Sequence, residues 1–186
     1  MTHIELVVLV DEKNNQIGTM PKSEVHGQNT PLHRAFSAFI FNSRGQILLQ
    51  QRSHLKKTWP LVWSNSCCGH PLPNESNTEA AKRRLIDELG LKIEDIEEVA
   101  PYRYCFTRFG VMENEICPIL VGFTDLEPKL NPEEVEDYIW LDWDQFLFEI
   151  GENTDGKWSE WCVEEAHILT QNSRFKELYS KNYEVL

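Results

Sequence analysis

The chain has 186 residues, 41% of them hydrophobic and six of them tryptophan, enough for one domain with a sizeable core and short for two. No apolar run approaches the ~20 residues that span a bilayer, and the mean hydropathy is negative, which argues against a helical membrane protein. A net charge of −12 excludes a general nucleic-acid binder, since phosphate neutralisation needs a basic face. The charge is uneven: residues 1–70 are net +3 and residues 71–186 net −15. The local basic excess, Arg52, Lys56 and Lys57, reads either as solvated loop charges or as a pocket for one small anionic ligand. Five cysteines, an odd number with two adjacent, suit reduced thiols better than a disulfide framework. The N-terminus lacks a basic stretch and a cleavage site, so it reads as a mature start and a cytoplasmic protein is expected.

In chain order, "IELVVLV" reads as a strand and "DEKNNQIG" as a turn into a second extended piece. "AFSAFIFN", "SRGQ" and "ILLQQR" make a hairpin candidate. "NTEAAKRRLIDELGL" is the clearest helix, with Asn77 or Thr78 as N-cap, Ala81, Leu85 and Leu89 on one face and Gly90 as the stop. "YRYCFT" and "ENEICPILVGFTD" read as strands, and "EVEDYIWLDWDQFLF" as a strand entering a short helix. An amphipathic helix is expected from about Glu160 to Tyr179. Strands mixed with a few helices indicate an α/β or α+β single domain.

Several constellations could carry chemistry. If "ENEICPIL" is a strand, Glu113 and Glu115 project from one face, where like charges repel unless a cation lies between them. An edge strand with its polar face in water fits the same pattern. His26, His33 and His70 stand in loops containing glycine and proline, and with paired carboxylates they could make a nitrogen/oxygen site for a divalent metal. Spacing does not show that they converge.

From Gly69 the chain reads G-x5-E-x7-R-R-L-I-D-E-L-G-L, with Gly69, Glu75, Arg83, Asp87, Glu88 and Gly90 in place. This resembles the Nudix box, G-x5-E-x7-R-E-U-x-E-E-x-G-U, whose acids hold a cation on a diphosphate. Arg84 replaces the first acid of the run and Asp87 a second, which counts against hydrolysis; an arginine there would grip a phosphate. With "KSEVH", "LHRAFSAFIFNSRGQILLQQR", "KKTWPLVWSNSCCGHP", "ENEICP" and "WSEW" added, the chain is similar to the type I, Nudix-fold isopentenyl-diphosphate delta-isomerases from about Lys22 to beyond Trp161.

The resemblance implies a Nudix-like fold, a mixed β-sheet sandwiched between helices, as one compact domain over 1–186. Within it residues 31–165 would form the catalytic core, 1–30 an N-terminal extension and 160–180 a C-terminal helix. It implies conversion of isopentenyl diphosphate to dimethylallyl diphosphate through a tertiary carbocation, with protonation on one face of the alkene and proton loss on the other. An unactivated alkene is a poor base, so a dry and well-placed acid is needed. Cys68 and Glu115 become the proton-transfer residues, with Tyr104 bonded beside Glu115. Either order of acid and base suits them; the working assignment makes Glu115 the acid and Cys68 the base. His26, His33, His70, Glu113 and Glu115 become ligands of a divalent metal (Mn2+, Zn2+ or Mg2+). Glu88 and the Cys68 carbonyl become ligands of the Mg2+ that arrives with the diphosphate. Lys22, Arg52, Lys56 and Arg84 become the cationic clamp, and Trp161 the aromatic face over the carbocation. No flavin, nucleic acid or membrane is expected, and a monomer is.

The bland readings stand beside these. Lys57 and Arg83 could share the clamp; Arg83 could pair with Asp87, and Arg84 with Glu88, along the helix. Trp59, Trp63, Trp140 and Trp143 read as core, Cys67 as a small wall residue, and Cys105, Cys117 and Cys162 as buried or half-buried. The competing functions are a Nudix hydrolase of a nucleoside or prenyl diphosphate and a non-catalytic diphosphate-binding module.

Overall fold

The computed structural model describes residues 5–152 and 155–183. Strand β1 (Leu6–Val10) pairs antiparallel with β2 (Gln16–Pro21). Between them the Asp11 carboxylate accepts the Lys13 and Asn15 backbone N–H groups at 2.9 Å, a side-chain-stabilised turn. One helical turn, α1 (Lys22–Val25), leads to β3 (His33–Arg34), β4 (Phe36–Phe41) and β5 (Gln46–Arg52). Two short strands follow, β6 (Trp63–Ser64) and β7 (Cys67–Gly69), then the helix α2 (Asn77–Leu89). The chain continues through β8 (Ile96–Ala100), β9 (Arg103–Arg108), β10 (Val111–Ile116), β11 (Ile119–Phe123) and β12 (Val135–Asp142). It closes with α3 (Trp143–Gly151), α4 (Glu160–Gln171) and α5 (Ser173–Asn182).

The described strands form two mixed sheets, β2-β1-β3-β10-β9 and β12-β5-β4-β11-β8, with β6 on β5 and β7 on β4. Two parallel pairs run through both: β3 beside β10 in the first sheet, β4 beside β11 in the second. The crossings fall at Ala35 and at Cys117–Pro118, where Ala35 N–H donates to the Ile116 carbonyl at 2.9 Å and Ser37 N–H to that of Pro118 at 3.1 Å. Proline fits such a break because it cannot supply a ladder donor.

Alternation along β4 builds both sides of the core. Phe36, Ala38 and Ile40 pack with Ala81, Leu85 and Leu89 of α2, while Phe39 and Phe41 pack with Trp143, Phe146, Leu169 and Phe175 of α3, α4 and α5. The second sheet is thus covered by helices on both faces, the sandwich expected from the sequence.

Four details differ from expectation. The N-cap of α2 is Ser76, one residue early, because its hydroxyl and Glu79 form a reciprocal capping box. The helix expected over 160–180 is two helices, broken at Asn172, whose side chain accepts the Phe175 N–H at 2.8 Å and caps the second. β4 and β5 meet as a hairpin only at Phe41 and Ile47, since β4 turns to β7 and β11 while β5 turns to β12 and β6. Cys105 is exposed on β9 rather than half-buried.

Candidate active site

The first site forms where β10, β3 and β9 run side by side. Pairing register sets Glu115 opposite His33 on one flank and opposite Tyr104 on the other, so neighbours distant in sequence become adjacent side chains. His70 follows β7 and His26 follows α1, and both turn inward. One ligand atom from each of His26, His33, His70 and Glu115 lies within 4.8 Å of the others, and all four residues are buried. Glu115 Oε1 is 3.0 Å from His70 Nε2, 3.2 Å from His33 Nε2 and 3.9 Å from His26 Nε2, and the Nε2 atoms of His33 and His70 are 3.3 Å apart.

These residues fit a metal. A tetrahedral ion with bonds of ~2.1 Å would set its ligand atoms about 3.4 Å apart, near the spacing seen. The Pro31 carbonyl, 2.8 Å from His33 Nδ1, fixes the tautomer that leaves Nε2 free to ligate. His26 Nε2 is buried with no hydrogen-bond partner, an orphan that a cation would satisfy. Burial drives His70 down to about 3, against the pull of Glu115, so its imidazole is the neutral, ligating form. Burial would raise Glu115, yet the surrounding imidazoles outweigh it and hold the carboxyl well below its usual range. Glu113 is buried beside the four but outside the tight group; Tyr104 Oη joins it, donating to Glu113 at 2.9 Å and to Glu115 at 2.7 Å.

Opposite stands β7, from the second sheet. Strand alternation sends Cys67 into the core against α2 and turns Cys68 to the cavity, so the adjacent thiols face different surroundings. Cys68 Sγ lies 3.1 Å from Asn65 Oδ1 and 3.5 Å from Ser37 Oγ. Burial, with the charge of Glu165 adding to it, pushes the thiol up to about 12, so it holds its proton near neutral pH. Trp161, at the start of α4, is buried at 1% exposure; its indole N–H donates to Ser64 Oγ at 3.1 Å and Asn65 Oδ1 at 3.3 Å. Its ring stacks on Tyr104 with centroids 5.6 Å apart and meets Trp59 edge-on at 5.2 Å.

Both groups line one cavity of about 540 Å³, which also collects Lys22, Arg52, Lys56, Lys57 and Arg84. Lys22 pairs with Glu5 at 3.0 Å, and Lys57 donates to the Ser23 carbonyl at 3.2 Å. Arg52 spends donors on the Thr58 and Trp59 carbonyls, which fixes the loop after β5, and lies 5.8 Å from the Trp161 ring. Arg84 reaches Glu88 at 2.6 Å, the i, i+4 pair expected, and also Glu134 at 3.2 Å. Glu88 is buried and takes a second bond from Gln50 at 3.1 Å. Gly69 allows β7 to approach α2: a Cβ there would lie 3.0 Å from Arg84 Cγ and 3.1 Å from the Phe36 ring.

Arg83 does not line the cavity, nor does it pair with Asp87. Its guanidinium bonds both oxygens of Glu75 at 2.8 Å and the His70 carbonyl at 3.2 Å, so these signature residues anchor the loop that presents His70. Trp59 and Trp143 are core as expected, whereas Trp63 and Trp140 are only partly buried. Residues not anticipated are Asn65, which orients both Cys68 and Trp161; Ser37, between Cys68 and Cys117; and the carboxylates Glu134 and Glu165. Asn65 stands in the polar run "SNS" just before the cysteines, a visible signal, but an amide transfers no proton and fits no motif.

A sheet covered by helices, a capped helix carrying the signature residues against a cation-lined cavity and a loop locked by its signature Glu and Arg define a Nudix domain. The family model for the NUDIX domain matches residues 31–162. A crystal structure from Deinococcus radiodurans superposes with a TM-score of 0.70 at 22% identity, covering 88% of this chain and 98% of that one. A MutT protein from Methanosarcina mazei Go1 gives 0.60, also at 22% identity, covering 80% and 95%. Sequence relatives are nearer: the isopentenyl-diphosphate Delta-isomerase of Saccharopolyspora erythraea is 48% identical over 170 residues, 90% of this chain and 87% of that protein. The enzyme of that name from Corynebacterium glutamicum strain R is 44% identical over 171 residues, 88% and 90% of the two chains. The chain belongs to the isopentenyl-diphosphate Delta-isomerase family of Nudix proteins.

Proposed function

We propose that this chain interconverts isopentenyl diphosphate and dimethylallyl diphosphate, moving a double bond by adding one proton and removing another. The observation that carries this reading is the pair of proton-bearing groups facing one cavity from different sheets: Cys68 on β7, and Glu115 with Tyr104 on β10 and β9. In the forward direction Glu115, hydrogen-bonded to Tyr104, gives a proton to the terminal alkene carbon, and Cys68 as thiolate takes one from the carbon nearer the diphosphate. That leaves a Cys68 thiol and a Glu115 carboxylate, the state favoured in the empty site. Proton exchange with solvent restores the start of the cycle. Trp161 and Tyr104 offer aromatic faces to the tertiary cation and exclude water that would trap it as an alcohol.

Lys22, Arg52, Lys56 and Arg84 hold the diphosphate, with Lys57 at the same rim. Glu88 and the Cys68 carbonyl would hold Mg2+ on the diphosphate, where it supplies charge neutralisation. His26, His33, His70 and Glu115, with Glu113 beside them, would hold a second divalent metal, Mn2+, Zn2+ or Mg2+, which tunes the proton affinity of Glu115. Residues 31–165 serve as the catalytic core, and the extension over 1–30 adds His26 and Lys22 to it. Among the described residues no helix is long and apolar enough to cross a membrane. The reading extends to a monomeric cytoplasmic enzyme for a small prenyl diphosphate, with no nucleic-acid or membrane partner, consistent with the strong net negative charge. Diphosphate hydrolysis is disfavoured because Arg84 occupies an acid position of the signature and is itself buried against Glu88.

The test is NMR of isopentenyl diphosphate with the protein and Mg2+ in D2O. Dimethylallyl diphosphate and deuterium in the product methyl group are expected. Cys68→Ala should lower turnover by at least 10² to 10⁴, the usual worth of a general acid or base, while Cys67→Ala stays within a few-fold of the parent. No product from the parent, or equal losses from the two variants, would defeat the reading.

A further inference from the structure

Glu134 has no part in the roles assigned so far, yet it lies inside the clamp. Its loop is tied on two sides: Asn131 N–H donates to the Glu88 carbonyl at 2.9 Å, at the end of α2, and Ser53 N–H donates to the Glu134 carbonyl at 3.0 Å. Ser53 Oγ also donates to the Pro132 carbonyl at 2.8 Å. The carboxylate is thereby held between two cations of the clamp, ion-paired with Lys56 and 3.2 Å from Arg84. All three side chains are mostly buried, with exposures of 22%, 20% and 7% for Glu134, Lys56 and Arg84. Burial alone would raise the Glu134 carboxyl, but Lys56 and Arg84 outweigh it and bring it down to about 2, so the group stays ionised near neutral pH.

An anion entering this cavity therefore finds two of its cations already paired with carboxylates. Lys56 and Arg84 already bind Glu134, and Arg84 also binds Glu88. A bare diphosphate must displace these carboxylates and then remain beside them, where like charges a few ångströms apart repel strongly in a partly buried site. A diphosphate carrying a divalent cation brings positive charge of its own, which offsets the displaced carboxylates. Resting on the clamp reading above, we propose that Glu134 makes the site selective for metal-loaded over metal-free diphosphates, by occupying Lys56 and Arg84 in the empty site and opposing an uncompensated anion.

The experiment is titration calorimetry with inorganic pyrophosphate, once in EDTA and once in excess Mg2+, on the full chain and on Glu134→Gln. The parent should bind the Mg2+ form and bind the bare form at least about tenfold more weakly. Glu134→Gln keeps the shape, frees Lys56, leaves Arg84 with Glu88 as its near carboxylate partner, and should tighten bare pyrophosphate by about tenfold or more, with a smaller change for the Mg2+ form. A variant that binds bare pyrophosphate no better than the parent overturns the proposal while leaving the clamp intact. A parent that binds neither form removes the clamp reading, and the proposal with it. Should the glutamine variant fail to fold, Glu134→Ala, which also removes the charge, carries the same expectation, and unchanged binding of the bare form overturns it equally.

Discussion

Glu165 offers a measurement that isolates one buried charge. It sits on α4 at 0% exposure, and neither carboxylate oxygen has a hydrogen-bond partner among the described residues. Burial pushes its carboxyl well above the usual range; the Ser37 hydroxyl opposes the shift, and the charges of Glu115 and Glu164 add to it. The folded protein therefore keeps a proton that the unfolded chain releases above about pH 4.5. Because the folded state binds more protons, stability from this group is greatest below the unfolded pKa and falls as pH rises toward the folded one. The slope reaches about 1.4 kcal/mol per pH unit. Glu165→Gln keeps the shape and removes the titration, so between pH 5 and pH 6 the parent should lose up to about 1.4 kcal/mol relative to the variant. Urea denaturation of both proteins at each pH, in EDTA throughout, gives that difference directly, and shared groups cancel in the comparison. Parallel pH dependences, or a parent that gains on the variant as pH rises, would show that Glu165 is ionised or hydrated and refute the reasoning.

Tyr104→Phe deletes one hydroxyl proton shared between two carboxylates, a bond worth about 1.5–3 kcal/mol when the partner is charged, so kcat should fall tenfold or more while KM changes little. Steady-state isomerisation rates with an unaltered kcat would take Tyr104 out of the proton path. Adding Mn2+ or Zn2+ to EDTA-stripped protein at a hundred times its dissociation constant should stabilise it by about 2.7 kcal/mol. His33→Ala should abolish that thermal shift, and a shift of equal size in the variant would mean that the metal binds elsewhere.

Many of the residues that converge on the cavity could be singled out beforehand because their residue types are chemically unusual where they stand. The helix over Asn77–Leu89 was readable from its apolar spacing and its terminal glycine, and Arg84 from its mismatch with the acidic signature. Convergence of the three histidines on Glu115 was not, since it depends on several long-range pairings: β3 with β10, β7 with β4, and Gly27 with Met112. β8, "IEEVA", escaped because neither apolar alternation nor a continuous apolar run marks it. The break at Asn172 competes locally with helix continuation, and hydrophobic periodicity runs across it unchanged. Asn65 and Glu134 could not be singled out for another reason: each bonds a neighbouring side chain, and polar residues in such positions look like any loop residue.

The two crossing points, at Ala35 and Cys117–Pro118, join sheets that carry different halves of the chemistry. Cys68 belongs to one sheet and Glu115 to the other, and the bonds from Ala35 to Ile116 and from Ser37 to Pro118 stitch the seam. The separation of Cys68 from Glu115 therefore depends on the angle at that seam as well as on rotamers within either strand. A substitution that loosens it would slow the reaction while both groups keep their own immediate neighbours. The joint spaces the two walls of the cavity that Cys68 and Glu115 line, as the hinge of a calliper fixes its jaws.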